Sequence, residues 1–400
     1  MIALPGQPPH QGCPPLLNHH ETPPRIAFAA VPAPVMTRLT IKDVAKAAGV
    51  SFQTVSLVLN HPEKVAPKTR ELVQSAIDAL NFIPNVAARS LRNISTKTLA
   101  CVMFNGSSYD ERSERTQDTH YHNVVQTLTR AADRAGYTLL QRNLMREDEA
   151  SLVYVRDLFL AGRIDGMIAM VNRAGNPVVA ELHRLGYPCV VYGMADPVCH
   201  HVVQSDRQAG LAVVEHLYRT GCRKIALVTG PQKDHLPGKS REDGVPTSSE
   251  ARYFGYLDGL EKCGLTPRPE WVVTGDWSLE SGYRAAAQLC HQAERPDAIF
   301  LGNDRMALGA LKALYDLGVK VPHEISVVGF DNMRYDDFSI PSLTSVDAPM
   351  LDMCEFAVQL LLEHIGQRGQ RNSDGGEPTA LVQKVFSTHL VIRDSTRPIM

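Results

Sequence analysis

Read for the spacing of its apolar positions, the chain changes texture twice, near residue 37 and near residue 97. Residues 1–36 show neither a 3.6- nor a 2-residue period, are rich in Pro and end in VPAPVM, so they read as a disordered extension. From Leu39 the text becomes LTIKDVAKAAGVSFQTVSLVLN, in which Ile41, Val44, Ala45 and Ala48 recur at helical spacing between Thr40, a good N-cap, and Gly49, a C-cap. Ser51 then caps a second helix whose Val55 and Leu59 point back to the first, leaving Phe52, Gln53, Ser56 and Leu57 on the outer face. Two short helices joined by a Gly-Val-Ser turn make a helix-turn-helix, which lays that outer face in a DNA major groove. A third helix is expected from Pro67 to Leu80, with Thr69, Val73, Ile77 and Leu80 as its buried stripe. In the following NFIPNVAARSLRNISTKT, Asn85 can cap a short helix over 86–92 that is too brief to be stable without a partner.

Beyond Lys97, apolar runs of strand length alternate with helical patterns: TLACVMF, YTLLQR, DGMIAM, PCVVYG, KIALVTG, DAIFLG and ISVVGF. Alternation of this kind builds parallel sheets covered by helices. Some 300 residues suffice for two doubly wound lobes, which bind ligands at the carboxyl ends of their strands.

Composition sharpens this picture in one respect. The formal charge of the 400 residues is −2, but residues 37–97 hold nine Lys and Arg against four Asp and Glu, a net of +5, which leaves −7 for 98–400. A basic helix-turn-helix thus precedes an acidic α/β body, the distribution expected of a DNA-binding protein with a second, separate task. Eight cysteines stand apart, without a CxxC pair and mostly inside apolar runs, so they read as reduced thiols of a cytoplasmic protein. No apolar run approaches the roughly 18 residues of a membrane span. RIAFAAVPA, the one stretch like a signal peptide, is too short, contains Pro and lacks a basic start. Met36, directly before the first patterned segment, is a candidate native start, which would make residues 1–35 a product of an upstream start assignment.

Catalytic chemistry finds little support. Gly238-Lys239-Ser240 follows the strand KIALVTG, but position 233, where a phosphate loop needs Gly, is Lys. GxSxG, GxGxxG and HExxH are missing; Asp118 with His120 and His122, or His200 with His201, could touch a metal, but lone polar clusters in loops are usually solvated. An enzyme is therefore not expected, nor any cofactor or metal. At strand carboxyl ends stand Asn303, after DAIFLG, and Asp331, after ISVVGF; Arg252 opens the helix ARYFGYLDGL, and Trp277 follows WVVTGD. Taken singly, each has a local reading: helix cap, turn residue, surface ion pair and lid packing.

The run TIKDVAKAAGVSFQTVSLVLN, followed by KTRELVQSAIDALNFIPNVAARSLR, resembles the DNA-binding headpiece and hinge of the lactose-repressor/galactose-repressor (LacI-type) family, and VEHLYRTGCRKIALVTGP, DAIFLGNDRMALGAL and ISVVGFDN continue the likeness to about residue 393. The resemblance implies a helix-turn-helix headpiece (37–84), a hinge helix and linker (85–97) and an α/β periplasmic-binding-protein-like effector and dimerisation domain (98–393), with a short tail at 394–400. Within that domain it places the N-lobe at about 98–205 and 347–372 and the C-lobe at 206–346 and 373–393. It implies double-stranded operator DNA as partner, met by Thr40, Ser51, Phe52, Gln53, Thr54, Ser56, Leu57, Asn60, Lys64, Asn85, Ala88, Arg89 and Leu91, with Leu91 wedged into the central minor-groove step. It also implies an effector site at Arg252, Trp277, Asn303 and Asp331, the residue types that family members use for sugars. Such a set gives paired donors and acceptors for vicinal hydroxyls, and an indole face for a pyranose.

The expected function is that of an effector-responsive repressor of carbohydrate-utilisation genes, a homodimer on a palindromic operator, controlled by a sugar or related polyol. A sugar-transport component and an enzyme with an accessory DNA-binding domain are the rival readings, opposed by the basic helix-turn-helix and by the lack of catalytic motifs. The chain departs from the family pattern in an insertion at 232–247, in Leu57 at a base-reading position, and in having no heptad tail after the final strand.

Overall fold

The computed structural model describes residues 41–60, 62–80, 95–104, 119–231, 245–374 and 380–399. Thr40, the hinge helix expected over 86–92 and most of the 232–247 insertion lie outside them. The chain divides into two units, Met1–Pro84 and Asn85–Met400.

In the first unit, α1 (Ile41–Ala48), α2 (Phe52–Asn60) and α3 (Pro67–Ala79) enclose a small core of Val44, Ala45, Ala48, Val55, Val58, Val73 and Ala76. Each buried valine contributes about 1.5–3 kcal/mol. The turn forms because Gly49 takes a left-handed φ of 64° and the Val50 N–H bonds the Ala45 carbonyl at 3.1 Å, a helix-terminating pattern that only a residue without Cβ adopts cheaply. Ser51 caps α2 as expected, its hydroxyl accepting from the Thr54 N–H at 3.1 Å. In α3 the buried stripe is Val73 and Ala76, while Thr69, Ile77 and Leu80 are half-buried.

The second unit is a pair of doubly wound lobes. Its strands are β1 (Thr98–Phe104), β2 (Thr138–Leu144), β3 (Gly166–Met170), β4 (Cys189–Tyr192), β5 (His200–Gln204), β6 (Ile225–Thr229), β7 (Val272–Thr274), β8 (Ala298–Leu301), β9 (Ser326–Phe330), β10 (Thr344–Asp347), β11 (Gln383–Phe386) and β12 (His389–Val391). The N-lobe sheet has the order β11-β5-β4-β3-β1-β2, all parallel; the C-lobe sheet has the order β12-β10-β9-β8-β6-β7, parallel except at β12. The seven apolar runs read from the sequence correspond to β1, β2, β3, β4, β6, β8 and β9. The central strands are buried on both faces, which explains why they read as continuous apolar runs rather than alternations.

The chain crosses between lobes after β5, after β10 and after β11. Helix Met350–Asp374 returns to the N-lobe, where Met353, Cys354, Ala357, Val358 and Leu361 pack with Leu99, Val124 and Ile168. One boundary differs from expectation. β11, expected in the C-lobe segment 373–393, pairs in parallel with β5 at the edge of the N-lobe sheet, with Val385 opposite Val203. Within the short tail expected at 394–400, Ser395 is fully buried, its hydroxyl donating to the Val327 carbonyl (2.6 Å) and accepting from the Thr344 N–H (2.8 Å).

Candidate DNA-binding face and effector cleft

On α2 the side chains of Phe52, Gln53 and Leu57 are exposed, Phe52 at 45% and Leu57 at 38%, as a base-reading face requires. Ser56 departs from expectation. It is buried at 9%, because it lies about 60° around the helix from Leu59 and 100° from Val55, on the flank of the core-facing side. The hydroxyls of Ser51 and Thr54 are 2.9 Å apart, so both join in capping. Lys64 is exposed in the turn before α3. Nothing is described of the side chain of Asn60, and Thr40, Asn85, Ala88, Arg89 and Leu91 lie outside the described residues.

In the C-lobe, two glycines set the geometry. A Cβ on Gly255 would lie 2.0 Å from the Arg207 carbonyl oxygen, and one on Gly210 would lie 2.4 Å from that of Arg252, so helices Asp206–Arg219 and Ser248–Lys262 touch backbone to backbone. That approach brings Arg252 against Asp206. Arg252 Nε donates to Asp206 Oδ1 at 2.8 Å, both side chains less than a tenth exposed, while another guanidinium nitrogen bonds the Gly302 carbonyl. The guanidinium lies 3.4 Å from the centroid of Phe330 and 5.8 Å from that of Trp277. Arg252 does not open its helix: Thr247 caps it with Glu250 in a reciprocal capping box, which places Arg252 in the second turn.

Trp277 has a φ of 67°, and its indole lies against Gly230 and Gly302 at the carboxyl ends of β6 and β8. Asn303 carries out the local task open to it: its Oδ1 accepts from the Met306 N–H at 2.9 Å as helix cap, and its Nδ2 donates to the Trp277 carbonyl at 3.2 Å. Asp331, at φ 111°, faces His120 of the N-lobe, with His120 Nδ1 3.6 Å from Asp331 Oδ1. Arg252, Trp277 and Asn303 are thus brought together, and Asp331 follows Phe330, on which the Arg252 guanidinium lies.

Beside Asp331 is a buried acid pair. Asp304 accepts from the Ser345 hydroxyl (2.6 Å) and the Met333 N–H (3.0 Å), and burial with Asp336 alongside holds its carboxyl far above the usual range. Burial pushes Asp336 up to about 6. The pair is adapted to holding a proton inside the C-lobe.

A cavity of about 400 Å3 opens beside the Arg252–Asp206 pair, where the lobes meet. Its walls include Gly193 and Met194 after β4, Gln204 and Ser205 at the first crossing, Asp206, and Ser248, whose hydroxyl donates to the Gly193 carbonyl at 3.3 Å. Sequence reasoning missed these residues. Gln204 to Asp206 carry a signal, polar residues at a strand's carboxyl end, but the strand HHVVQ itself opens on two histidines and does not stand out as an apolar run. The volume falls in the range of small-ligand sites.

Among the described residues no group of three or more His, Cys, Asp or Glu is arranged to hold a metal, and no helix is long and apolar enough to cross a membrane. The seven described cysteines are free thiols, and burial raises those of Cys101, Cys199 and Cys354 to about 12.

Residues 40–85 match the family model for bacterial regulatory proteins of the lacI family, and residues 214–396 match that of a periplasmic binding protein-like domain. The chain is 31% identical over 360 residues to the HTH-type transcriptional repressor PurR of Glaesserella parasuis, covering 90% of this chain and 98% of that protein. Among solved structures it is similar to the lac repressor dimer bound to operator and the anti-inducer ONPF, with a TM-score of 0.73, 28% identity and coverage of 90% and 99% of the two chains. It is also similar to a complex of the transcriptional regulator CelR with cellobiose, with a TM-score of 0.62, 27% identity and coverage of 90% and 100%.

Proposed function

The chain belongs to the lacI family of bacterial regulatory proteins, whose members similar to it are transcriptional repressors and not enzymes, and from that premise we propose that it is a dimeric repressor of carbohydrate-utilisation genes released from or held on a palindromic operator by a sugar or related polyol. The observation that carries the ligand class is the cavity beside Arg252. Its walls are mostly apolar, from Ala195, Val203, Leu211 and Val385, and carry the polar groups of Gln204, Ser205, Asp206 and Ser248 with the Arg207–Asp258 ion pair, a mixture that accommodates a ring bearing several hydroxyls. None of Arg252, Trp277, Asn303 and Asp331 lines the cavity itself; Arg252 adjoins it through its ion pair with Asp206, and in this reading the other three complete the site beyond that pair. The similar regulator in complex with cellobiose supports it.

On the DNA side, Gln53 makes a paired contact to adenine and Leu57 meets a thymine methyl. Two copies of Leu91 open a deformable central step. The headpiece (37–84), hinge (85–97) and effector domain (98–393) are the working parts. Exposed Phe338 and Ile340 on the C-lobe, at 80% and 94%, support pairing of two chains.

A thermal-shift screen with mono- and disaccharides, polyols and planar nitrogen heterocycles tests the ligand class. A carbohydrate should raise the melting temperature and alter binding to DNA recovered from a random pool. Asp331→Ala should remove that response and leave ligand-free DNA binding intact. A heterocycle as the sole hit would move the effector out of the carbohydrate class.

A further inference from the structure

We propose that Asp165 is a positioning residue for operator binding, its carboxylate fixing the segment through which the chain reaches the effector domain from the DNA-binding unit. The inference rests on the regulator reading above. Asp165 stands immediately before β3, and its two oxygens take four donors from three consecutive residues. Oδ2 accepts from the Ser95 hydroxyl at 2.5 Å and the Lys97 N–H at 2.9 Å. Oδ1 accepts from the Thr96 N–H at 2.8 Å and the Thr96 hydroxyl at 2.9 Å. The Asp165 N–H in turn donates to the Thr98 carbonyl at 2.8 Å.

These bonds hold Lys97 at φ 53°, a left-handed conformation that a residue with a Cβ rarely adopts unless its surroundings fix it. The direction in which residues 95–97 leave β1 is therefore set by one side chain of the N-lobe. Ionised acceptors make strong, short bonds, and four on one carboxylate give a rigid junction. A movement of the lobe is delivered to the chain leading to the headpiece instead of being absorbed there.

The C-lobe supplies an internal comparison. Asp297 stands before β8 as Asp165 stands before β3, and each follows the same plan of clasping the residues that enter the neighbouring strand. The carboxylate of Asp297 takes the backbone N–H groups of Arg223 (2.9 Å) and Lys224 (2.9 Å). The segment it holds comes from the helix Asp206–Arg219 of the same lobe. At Asp165 two side-chain hydroxyls are added to this plan, and the segment held is the one that arrives from the DNA-binding unit. If the carboxylate served only to start a strand, loss of either Asp would have the same consequences.

The test compares Asp165→Asn with Asp297→Asn in the full chain, using a duplex enriched from a random-centre pool by the unmodified protein and an unselected duplex of equal length. Non-specific binding rests on phosphate charge and tolerates an imprecise approach, whereas selected binding needs base-contacting groups in register. Asp165→Asn should weaken binding to the selected duplex at least tenfold and to the unselected duplex less than twofold. Asp297→Asn should change neither by more than twofold, although it lowers the melting temperature comparably. Ser95→Ala combined with Thr96→Val, which keeps the carboxylate and removes two of its donors, should show the same selective loss in smaller measure and decides the matter if Asp165→Asn does not fold. Equal effects of the two Asp variants, or an unchanged ratio of selected to unselected binding in the Ser95/Thr96 variant, would overturn the proposal. Failure of the unmodified chain to enrich any sequence would bring down the regulator reading, and this inference with it.

Discussion

Asp206→Asn and Arg252→Met should destabilise the protein unequally, and the inequality follows from where each charge is left. Both side chains are less than a tenth exposed, and removing one partner of a buried pair costs about 3–5 kcal/mol when the other charge stays buried. After Asp206→Asn, the Arg252 guanidinium keeps the Gly302 carbonyl and the face of Phe330 at 3.4 Å, but it has lost its counter-charge in a dry position. A loss of about 3–4 kcal/mol is expected. After Arg252→Met, the Asp206 carboxylate, which lines the cavity although it is as buried as Arg252, keeps Gln204 Nε2 at 3.4 Å and can take up water from the cavity in place of the guanidinium. Its penalty is that of a partly solvated group, about 1–3 kcal/mol. Urea unfolding followed by tryptophan emission and by circular dichroism measures both, and the double variant should fall short of the sum by about 1–3 kcal/mol. If Arg252→Met proves the more damaging, or if the two losses simply add, the reading that Asp206 is hydrated from the cavity once Arg252 is gone is wrong.

Three further outcomes are expected. Gln53→Ala should relax one operator position by about 1–3 kcal/mol, read by binding to a panel of single-base variants; a uniform loss across the panel would make Gln53 a mere phosphate contact. In Gly230→Ala the new Cβ would lie 1.9 Å from the Trp277 ring, so the indole must move by more than an ångström, and the emission of Trp277 should shift to the red with a loss of about 1–3 kcal/mol from overpacking. An unchanged spectrum would mean that the indole does not rest on Gly230. Stability should also depend on pH in two opposed ways. Burial holds His183 and His200 below the usual imidazole value, and at His200 the neighbouring His183 and His201 act in the same direction, so their contribution is full above about pH 6.5 and declines as pH falls below it. Asp336 is raised to about 6, so its contribution is full at low pH and is lost as pH rises through 6. His200→Gln should flatten the acid-side decline and Asp336→Asn the loss on approaching neutrality, both read from melting temperatures between pH 4 and 8; slopes unaltered by either would refute the assignment.

The headpiece was legible because its signals are local: Ser51 as cap, Gly49 at a positive φ, and apolar residues a helical turn apart. Ser56 was misplaced because a flank position on a short helix is settled by how closely the neighbouring helices pack, which spacing leaves open. The buried strands announced themselves as apolar runs, yet β11, with its exposed pattern, gave no sign of which sheet it would join. The cavity was invisible for a related reason. Gly193, Gln204, Asp206 and Ser248 are brought together by the crossing between lobes and by the helix contact at Gly210 and Gly255, and neither has a signature in sequence spacing. Asn303 shows how a residue type suited to a ligand can be occupied locally, here by a helix end and the Trp277 carbonyl.

The claim that one ligand site governs DNA binding is tested most directly by titrating the carbohydrate found in the screen into the chain alone and into the chain saturated with its selected duplex. Coupling is reciprocal, so the two ligand affinities should differ by about 5- to 150-fold, the same factor by which the ligand alters DNA affinity. Equal affinities in the two titrations would contradict it, since a ligand that does not distinguish the free from the DNA-bound form cannot control it.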